Sequence, residues 1–372
     1  MANSNGKDYR DSLYHKISRL THGGIMVNYQ CNAACRHCLY ACSPERSGGY
    51  IQPKMAEDVC GLLREGGCTS VHIGGGEPFL DINGLIMLLE ACRRCGVEVE
   101  YIETNAFWAA DEDQAVKYLR ALAAACEDTR AVEAGSQAAG TSSSRMERPA
   151  LCISLDPFHA EYVPPALPIK LAEICRQEGF GYFIWQDKYR AALSRIDNPR
   201  KAHTRAELER QLSYDYVLDT AQTYGLKFGG RAMSIEAEYG TPKPIAEILG
   251  VSRDGQFHND TQKKPCRNLL QSGHFHVDLY GRYIPPGCTG IVISLVEAVR
   301  GVPQGKYPAF DALVTGGVAA LYDLAQGLGF KAEAAYTSSC ALCVGIRHWL
   351  SGQGGFPELD AEHYGAALTY TG

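Results

Sequence analysis

Residues 31–38 read Cys-Asn-Ala-Ala-Cys-Arg-His-Cys, so Cys31, Cys35 and Cys38 stand at the spacing C-x3-C-x2-C. Cysteine thiolates hold iron–sulfur clusters, usually four to a cluster. Three thiolates on one short loop hold three irons of a cubane and leave the fourth open to a small molecule. The competing reading is zinc or plain burial, and Cys42 nearby keeps it in play. Zinc sites favour paired C-x2-C knuckles, and Cys38 to Cys42 makes a poor one.

Five other places carry chemistry. Gly75-Gly76-Glu77-Pro78 follows an apolar run at 70–73. Glycines there permit close backbone approach and unusual φ; a tight strand-to-helix turn needs the same residues. Three further predicted strands end in polar groups: Glu103-Thr104-Asn105, then Ser154 and Asp156, then Gly230-Arg231. Ser154 and Asp156 are two apart and share a strand face with Cys152; helix capping is the alternative use of such residues. In the last third, Cys266 and Cys288 precede the knuckle Cys340-Ala341-Leu342-Cys343. Four thiolates close a cubane or a zinc site equally well. Cys60, Cys68, Cys92, Cys95, Cys126 and Cys175 fall on helical stretches and read as packing residues.

The elements that must position these groups follow from periodicity. Strands are predicted at 23–30, 70–73, 97–103, 151–155, 182–185 and 227–233, and helices at 54–65, 81–95, 111–126, 166–179 and 205–224. Alternation of strand and helix means a parallel sheet with helical crossovers. Six units fit an α/β fold of the partial (β/α)6 TIM-like barrel type; a doubly wound sheet is the competing layout. Residues 134–148 are Gly/Ser/Ala-rich and read as an insertion. Past about residue 250 helical periodicity lapses, Gly, Pro and Cys rise, and a hairpin is expected at 274–285, turning at Gly281. The expected domains are an N-terminal extension (1–22), the barrel (23–235) and a small Cys-rich module (250–372).

The 372 residues carry a net charge of −6, which leaves no basic footprint for nucleic acid. There is no apolar run long enough to span a membrane, and the first residues are not a signal peptide. Fifteen cysteines, an odd number in a chain this long, fit a reducing cytoplasm with thiolates kept free for metal.

The cysteine loop and the Gly75–Pro78 loop, separated by one helix and one strand, resemble the radical SAM superfamily. That resemblance implies a [4Fe-4S] cluster on Cys31, Cys35 and Cys38 whose open iron chelates S-adenosylmethionine. One-electron reduction then yields a 5′-deoxyadenosyl radical that removes a hydrogen atom from substrate. It also implies cofactor contacts from His37, Gly75, Gly76, Glu77, Pro78, Asn105, Ser154, Asp156 and Arg231. Ser154 and Asp156 would hold ribose hydroxyls, and Arg231 the methionine carboxylate. Cys266, Cys288, Cys340 and Cys343 resemble a SPASM or twitch module carrying an auxiliary [4Fe-4S] cluster. The segments Thr104–Ala109 and Asp156–His159 resemble enzymes that modify ribosomally made peptides, including epimerases. By that likeness Cys152 is a hydrogen-atom donor and His159 a substrate or proton-transfer residue. The reading is an enzyme acting on a peptide or amino-acid-derived substrate by epimerisation, dehydrogenation or cross-linking, with flavodoxin or ferredoxin as electron donor. The alternatives are a dehydrogenase or epimerase of a sugar or aminocyclitol, and a non-catalytic iron–sulfur scaffold.

Overall fold

A computed structural model describes residues 13–46, 49–127, 147–226, 229–250, 264–360 and 363–364. Its centre is one eight-stranded sheet. In chain order the strands are β1 (His22–Met26), β2 (Ser70–Gly74), β3 (Glu98–Thr104), β4 (Ala150–Ser154), β5 (Tyr182–Trp185), β6 (Gly273–Val277), β7 (Arg282–Ile284) and β8 (Ile293–Ser294). Across the sheet the order is β8-β7-β6-β1-β2-β3-β4-β5. The six strands from β6 to β5 run parallel; β7 and β8 are antiparallel. The sheet is open, with β5 at one edge and β8 at the other.

The crossover helices are amphipathic for plain reasons. In α1 (Pro53–Glu65), proline occupies the first turn, where its missing N–H costs nothing, and Ala56, Val59, Cys60 and Leu63 make the buried stripe. In α2 (Ile82–Cys95), Asp81 caps the Gly84 N–H and Gly96, at φ +68°, ends the helix. In α3 (Glu112–Ala125), Asp111 caps Gln114. Helix α4 (Pro157–Ala160) is one turn, and α5 (Ala166–Gln177) leads into β5. Helix α1 packs on α2, α2 on α3 and α3 on α5. That single layer on one sheet face is barrel-like rather than doubly wound.

Three expectations are corrected. The predicted helix over 205–224 is two, α6 (Arg205–Leu212) and α7 (Tyr216–Thr223), because Ser213 turns left-handed at φ +61° and Asp215 caps the second. The strand expected at 227–233 is absent: residues 227–228 lie outside the described residues, and Ala232 begins helix α8 (Ala232–Tyr239). The sixth parallel strand is β6, which pairs with the far side of β1. Nor does helical structure lapse after residue 250. Helix α9 (Pro308–Gly327) is kinked at Gly317, whose φ of +66° lets Lys264 pass at a distance a Cβ would forbid; α10 (Ser339–Ser351) packs against it. The hairpin turning at Gly281 is present as β6–β7. Through β6 the Cys-rich segment extends the central sheet itself. Of the insertion expected at 134–148, residues 134–146 lie outside the described residues.

Candidate active site

A cavity of about 540 Å³ opens at the carboxyl ends of the parallel strands, where α/β folds concentrate their working groups. Cys31, Cys35 and Cys38 line it, with Cys42 beside them. The loop that presents them is tied down at several points. The Cys31 N–H donates to the Ser43 carbonyl (3.1 Å) and the Cys38 N–H to the Cys35 carbonyl (3.0 Å). Arg231, buried, donates from Nε to the Cys35 carbonyl (3.0 Å) and from Nη2 to the Cys42 carbonyl (2.6 Å). Cys31 Sγ accepts from the Ala33 N–H (3.4 Å), and Asn105 Nδ2 lies 3.7 Å away. Burial pushes the Cys31 thiol up to about 12, Glu77 adding to the effect. Cys38 is held low by its hydrogen bond with Cys42, against burial and with help from Arg231.

The loop after β2 packs directly on the cysteine loop. The Gly76 N–H donates to the Asn28 carbonyl (2.9 Å) and to Asn28 Oδ1 (3.0 Å), and the Glu77 N–H to the Gln30 carbonyl (3.0 Å). A Cβ on Gly76 would sit 1.9 Å from that Gln30 oxygen, so only glycine fits. Glu77 turns its side chain the other way, accepting from Phe79 N (3.1 Å), Thr104 Oγ1 (3.0 Å) and Asn105 N (2.7 Å). One carboxyl thus joins the ends of β2 and β3, and burial raises it to about 7.

Most of the residues anticipated as cofactor-binding come together here: His37, Gly75, Gly76, Glu77, Asn105, Ser154 and Arg231 line the cavity, as do Cys152 and His159. Pro78 and Asp156 do not. Pro78 begins a short 3-10 turn and is buried beneath the loop. Strand β4 ends at Ser154, so Asp156 leaves the shared face and becomes the N-cap of α4. Its Oδ1 accepts from the His159 N–H (3.0 Å), and its Oδ2 pairs with His159 Nδ1 (2.8 Å) and lies 3.9 Å from His37 Nε2. Burial opposes its charge, yet His159 and then His37 hold the carboxyl far below the carboxylate range. Burial likewise opposes charge on His159, and Asp156 outweighs it, so His159 rises. His37 goes the other way, lowered to about 4 by burial, and stacks on Phe158 at 4.5 Å. Arg231 is at the mouth of α8 rather than at a strand end, and its bonds to the Cys35 and Cys42 carbonyls brace the cysteine loop.

The wall facing the cysteines comprises Glu103, anticipated at its strand end, with Tyr101, Phe183, Trp185, His274 and His276, which sequence reasoning missed. Period-two alternation from Glu103 finds Tyr101; Phe183 and Trp185 stand opposite Cys152 and Ser154 across the sheet, and the two histidines were hidden by the misplaced sixth strand. Glu103 is raised to about 7 by burial and then by Glu77. Burial and Glu103 push the Cys152 thiol up, so it stays protonated. Burial and the neighbouring imidazoles push His72 and His276 down, to about 2 and about 3.

The second cysteine set is also assembled. Cys266 feels Cys343 and Cys340, Cys288 feels Cys266 and Cys340, and Cys343 feels Cys288 and Cys340. Cys340 and Cys343 lie on the first turn of α10, and Arg347 one turn on donates to the Thr289 carbonyl (2.9 Å) and interacts with Cys343.

Residues 24–132, which span Cys31, Cys35 and Cys38, match the family model of a 4Fe-4S single cluster domain. No curated protein matches the chain. Among solved structures, the chain is similar to SuiB of Streptococcus suis (15% identity, TM-score 0.40, covering 82% of this chain and 72% of that one). It is similar also to native anSMEcpe with bound AdoMet (14%, TM-score 0.36, 72% and 74%) and to SuiB bound to precursor peptide SuiA (14%, TM-score 0.32, 95% and 77%). No helix among the described residues is long and apolar enough to cross a membrane.

Proposed function

We propose that this chain is a radical SAM enzyme that modifies a peptide. The observation that carries the reading is one cavity into which three loop cysteines, the Gly75–Glu77 backbone and a wall of polar and aromatic side chains all open. The residues fit the cluster: three thiols face the cavity, a buried guanidinium braces their loop, and N–H donors point at Cys31. When bound, the cluster and S-adenosylmethionine supply a radical able to remove hydrogen from an unactivated C–H bond.

The chain's own groups do the rest. Asn105 and Arg231 orient the cysteine loop. The Gly75–Gly76 backbone offers close approach to a ligand. Ser154 presents a hydroxyl, and the Asp156–His159 pair holds a proton on His159 at the cavity wall. Cys152 stays a thiol, the form that can return a hydrogen atom to a substrate radical. Glu103, near neutrality in its affinity for a proton, can give or take one there.

A peptide is favoured by the cavity's rim. Phe183 and Trp185 are 40% and 50% exposed on β5, an open edge strand that also lines the cavity. An edge strand offers unpaired backbone groups to an extended chain, and exposed aromatics offer contact area. The cavity's volume also falls within the range of small-molecule sites, so a sugar or aminocyclitol is the second reading.

The four C-terminal thiols suit an auxiliary [4Fe-4S] cluster. Four thiolates would also close a tetrahedral zinc site with Zn–S bonds of about 2.3 Å, and the iron and zinc content of reconstituted protein separates the two.

The test is release of 5′-deoxyadenosine by anaerobically reconstituted protein with dithionite, or with flavodoxin or ferredoxin as donor. Stimulation by peptides and not by a small-molecule panel is the expected result. Stimulation by small molecules alone would replace the peptide reading, and no cleavage with any reductant would leave a scaffold.

A further inference from the structure

At the opposite end of the same sheet face lies a group of histidines that the proposed chemistry does not use. We infer that His22, His72 and His274 form a further metal centre, a three-histidine site for a divalent first-row transition ion such as zinc. One ring nitrogen from each lies within 4.8 Å of the others. They come from three adjacent strands, β1, β2 and β6. Three imidazoles with an open fourth position are a familiar zinc donor set, and imidazole also suits copper and nickel.

Local structure is bent to make this group. Between β1 and β6 the register runs His22 opposite Gly273 and then Gly23 opposite Phe275, skipping His274. His274 is therefore a bulge residue, and it has φ +66°, a conformation uncommon for a non-glycine residue. Bulges re-aim side chains, and strained backbone concentrates at functional sites. Here the bulge lays the His274 ring 5.0 Å from His72 and 5.7 Å from His22. Gly24 makes the neighbouring space. A Cβ there would sit 2.3 Å from His72 Nε2, and over this gap His72 Nε2 meets His276 Nε2 at 3.1 Å. His72 is fully buried, yet its Nδ1 has no hydrogen-bond partner among the described residues. Glu100 lies 3.3 Å from His22 Nδ1, the carboxylate–histidine contact that orients a metal-binding ring. His274 and His276 also line the cavity, so the ion would sit at its floor.

The experiment uses the full chain with its clusters in place, equilibrated with zinc chloride and passed over a chelating column. The parent should retain one zinc that His274→Ala and His22→Gln each bind roughly 10–100-fold more weakly, with iron content unchanged. X-ray absorption should show nitrogen neighbours at about 2.0–2.1 Å. His274→Gly, better suited to the bulge, should unfold no earlier than the parent and still lose the zinc. Zinc held by sulfur at about 2.3 Å, equal retention by parent and variants, or no retention by the parent would each overturn the site.

Discussion

Cys31, Cys35 and Cys38 stand within eight residues of one another, on a loop held by Arg231 and by the Gly76–Glu77 backbone. Cys266, Cys288, Cys340 and Cys343 are drawn instead from a 3-10 turn, the exit of a hairpin and the first turn of a helix. The first set faces an open cavity; Cys288 and Cys343 interact with Arg347 and Tyr364. A site on one loop needs few partners to form and leaves one side free for a ligand. A site assembled from distant elements encloses what it holds and ties those elements together. How much of the fold a set of thiols spans, more than their number, separates an open site from a closed one.

Breaking each set in turn gives the largest contrast. Cys31→Ala, Cys35→Ala and Cys38→Ala together should reduce iron from about eight to about four per chain and abolish 5′-deoxyadenosine release. Cys288→Ala with Cys343→Ala should remove a similar amount of iron, leave dithionite-driven release measurable and lower the melting temperature. The same loss of activity from both variants would erase the distinction.

The next effect isolates the turn after β4, which lies beside His37 of the cysteine loop. Asp156→Ala removes a buried pair and a helix cap together, and should cost about 3 kcal/mol in chemical denaturation. The pH window follows from the directions of the two shifts. Asp156 is depressed, so its share is present above its unfolded pKa and lost as pH falls through the folded one. His159 is raised, so its share is present below its unfolded pKa and lost as pH rises through the folded one. The variant should therefore lose most stability in the range between, near neutrality, while its iron content stays at the parent's. Iron loss with unchanged stability would show that Asp156 serves the cluster loop instead.

Glycine substitutions separate the two sites further. Gly76→Ala drives a Cβ to within 1.9 Å of the Gln30 carbonyl and should cost about 1–3 kcal/mol, with reduced iron at the first site. Gly287, one residue before Cys288, has φ +65° with nothing near a new Cβ. Gly287→Ala should cost only about 1 kcal/mol, the conformational part alone. Equal costs would mean that the first loop yields where its packing says it cannot.

The smallest expected effect concerns Glu103. Its carboxyl rises to about 7 in the folded chain, so the folded state binds more protons than the unfolded one between about pH 4.5 and 7. Stability from this group therefore falls as pH rises across that window. Glu103→Gln should flatten that dependence by about 1–2 kcal/mol, after allowance for the group's partial exposure. An unchanged pH profile would place the proton elsewhere, with Glu77 the neighbour to examine.

Local information was enough for several parts of this molecule. The spacing of Cys31, Cys35 and Cys38, the glycines at 75 and 76 and the strands at 70–73 and 182–185 could be read directly, because each depends on neighbours in the chain. The stripe of Ala56, Val59, Cys60 and Leu63 declared its helix for the same reason. Other features were decided only by tertiary structure. Asp156 shares a strand face with Ser154 on paper, but the turn into α4 takes it off that face. The sixth parallel strand is β6, and its place beside β1 depends on pairing across some 250 residues, which no local pattern encodes. The histidine group depends on that same pairing, on one bulge and on the gap left by Gly24. Periodicity reports which face of an element is apolar; which element lies next to it is settled by packing of the whole chain.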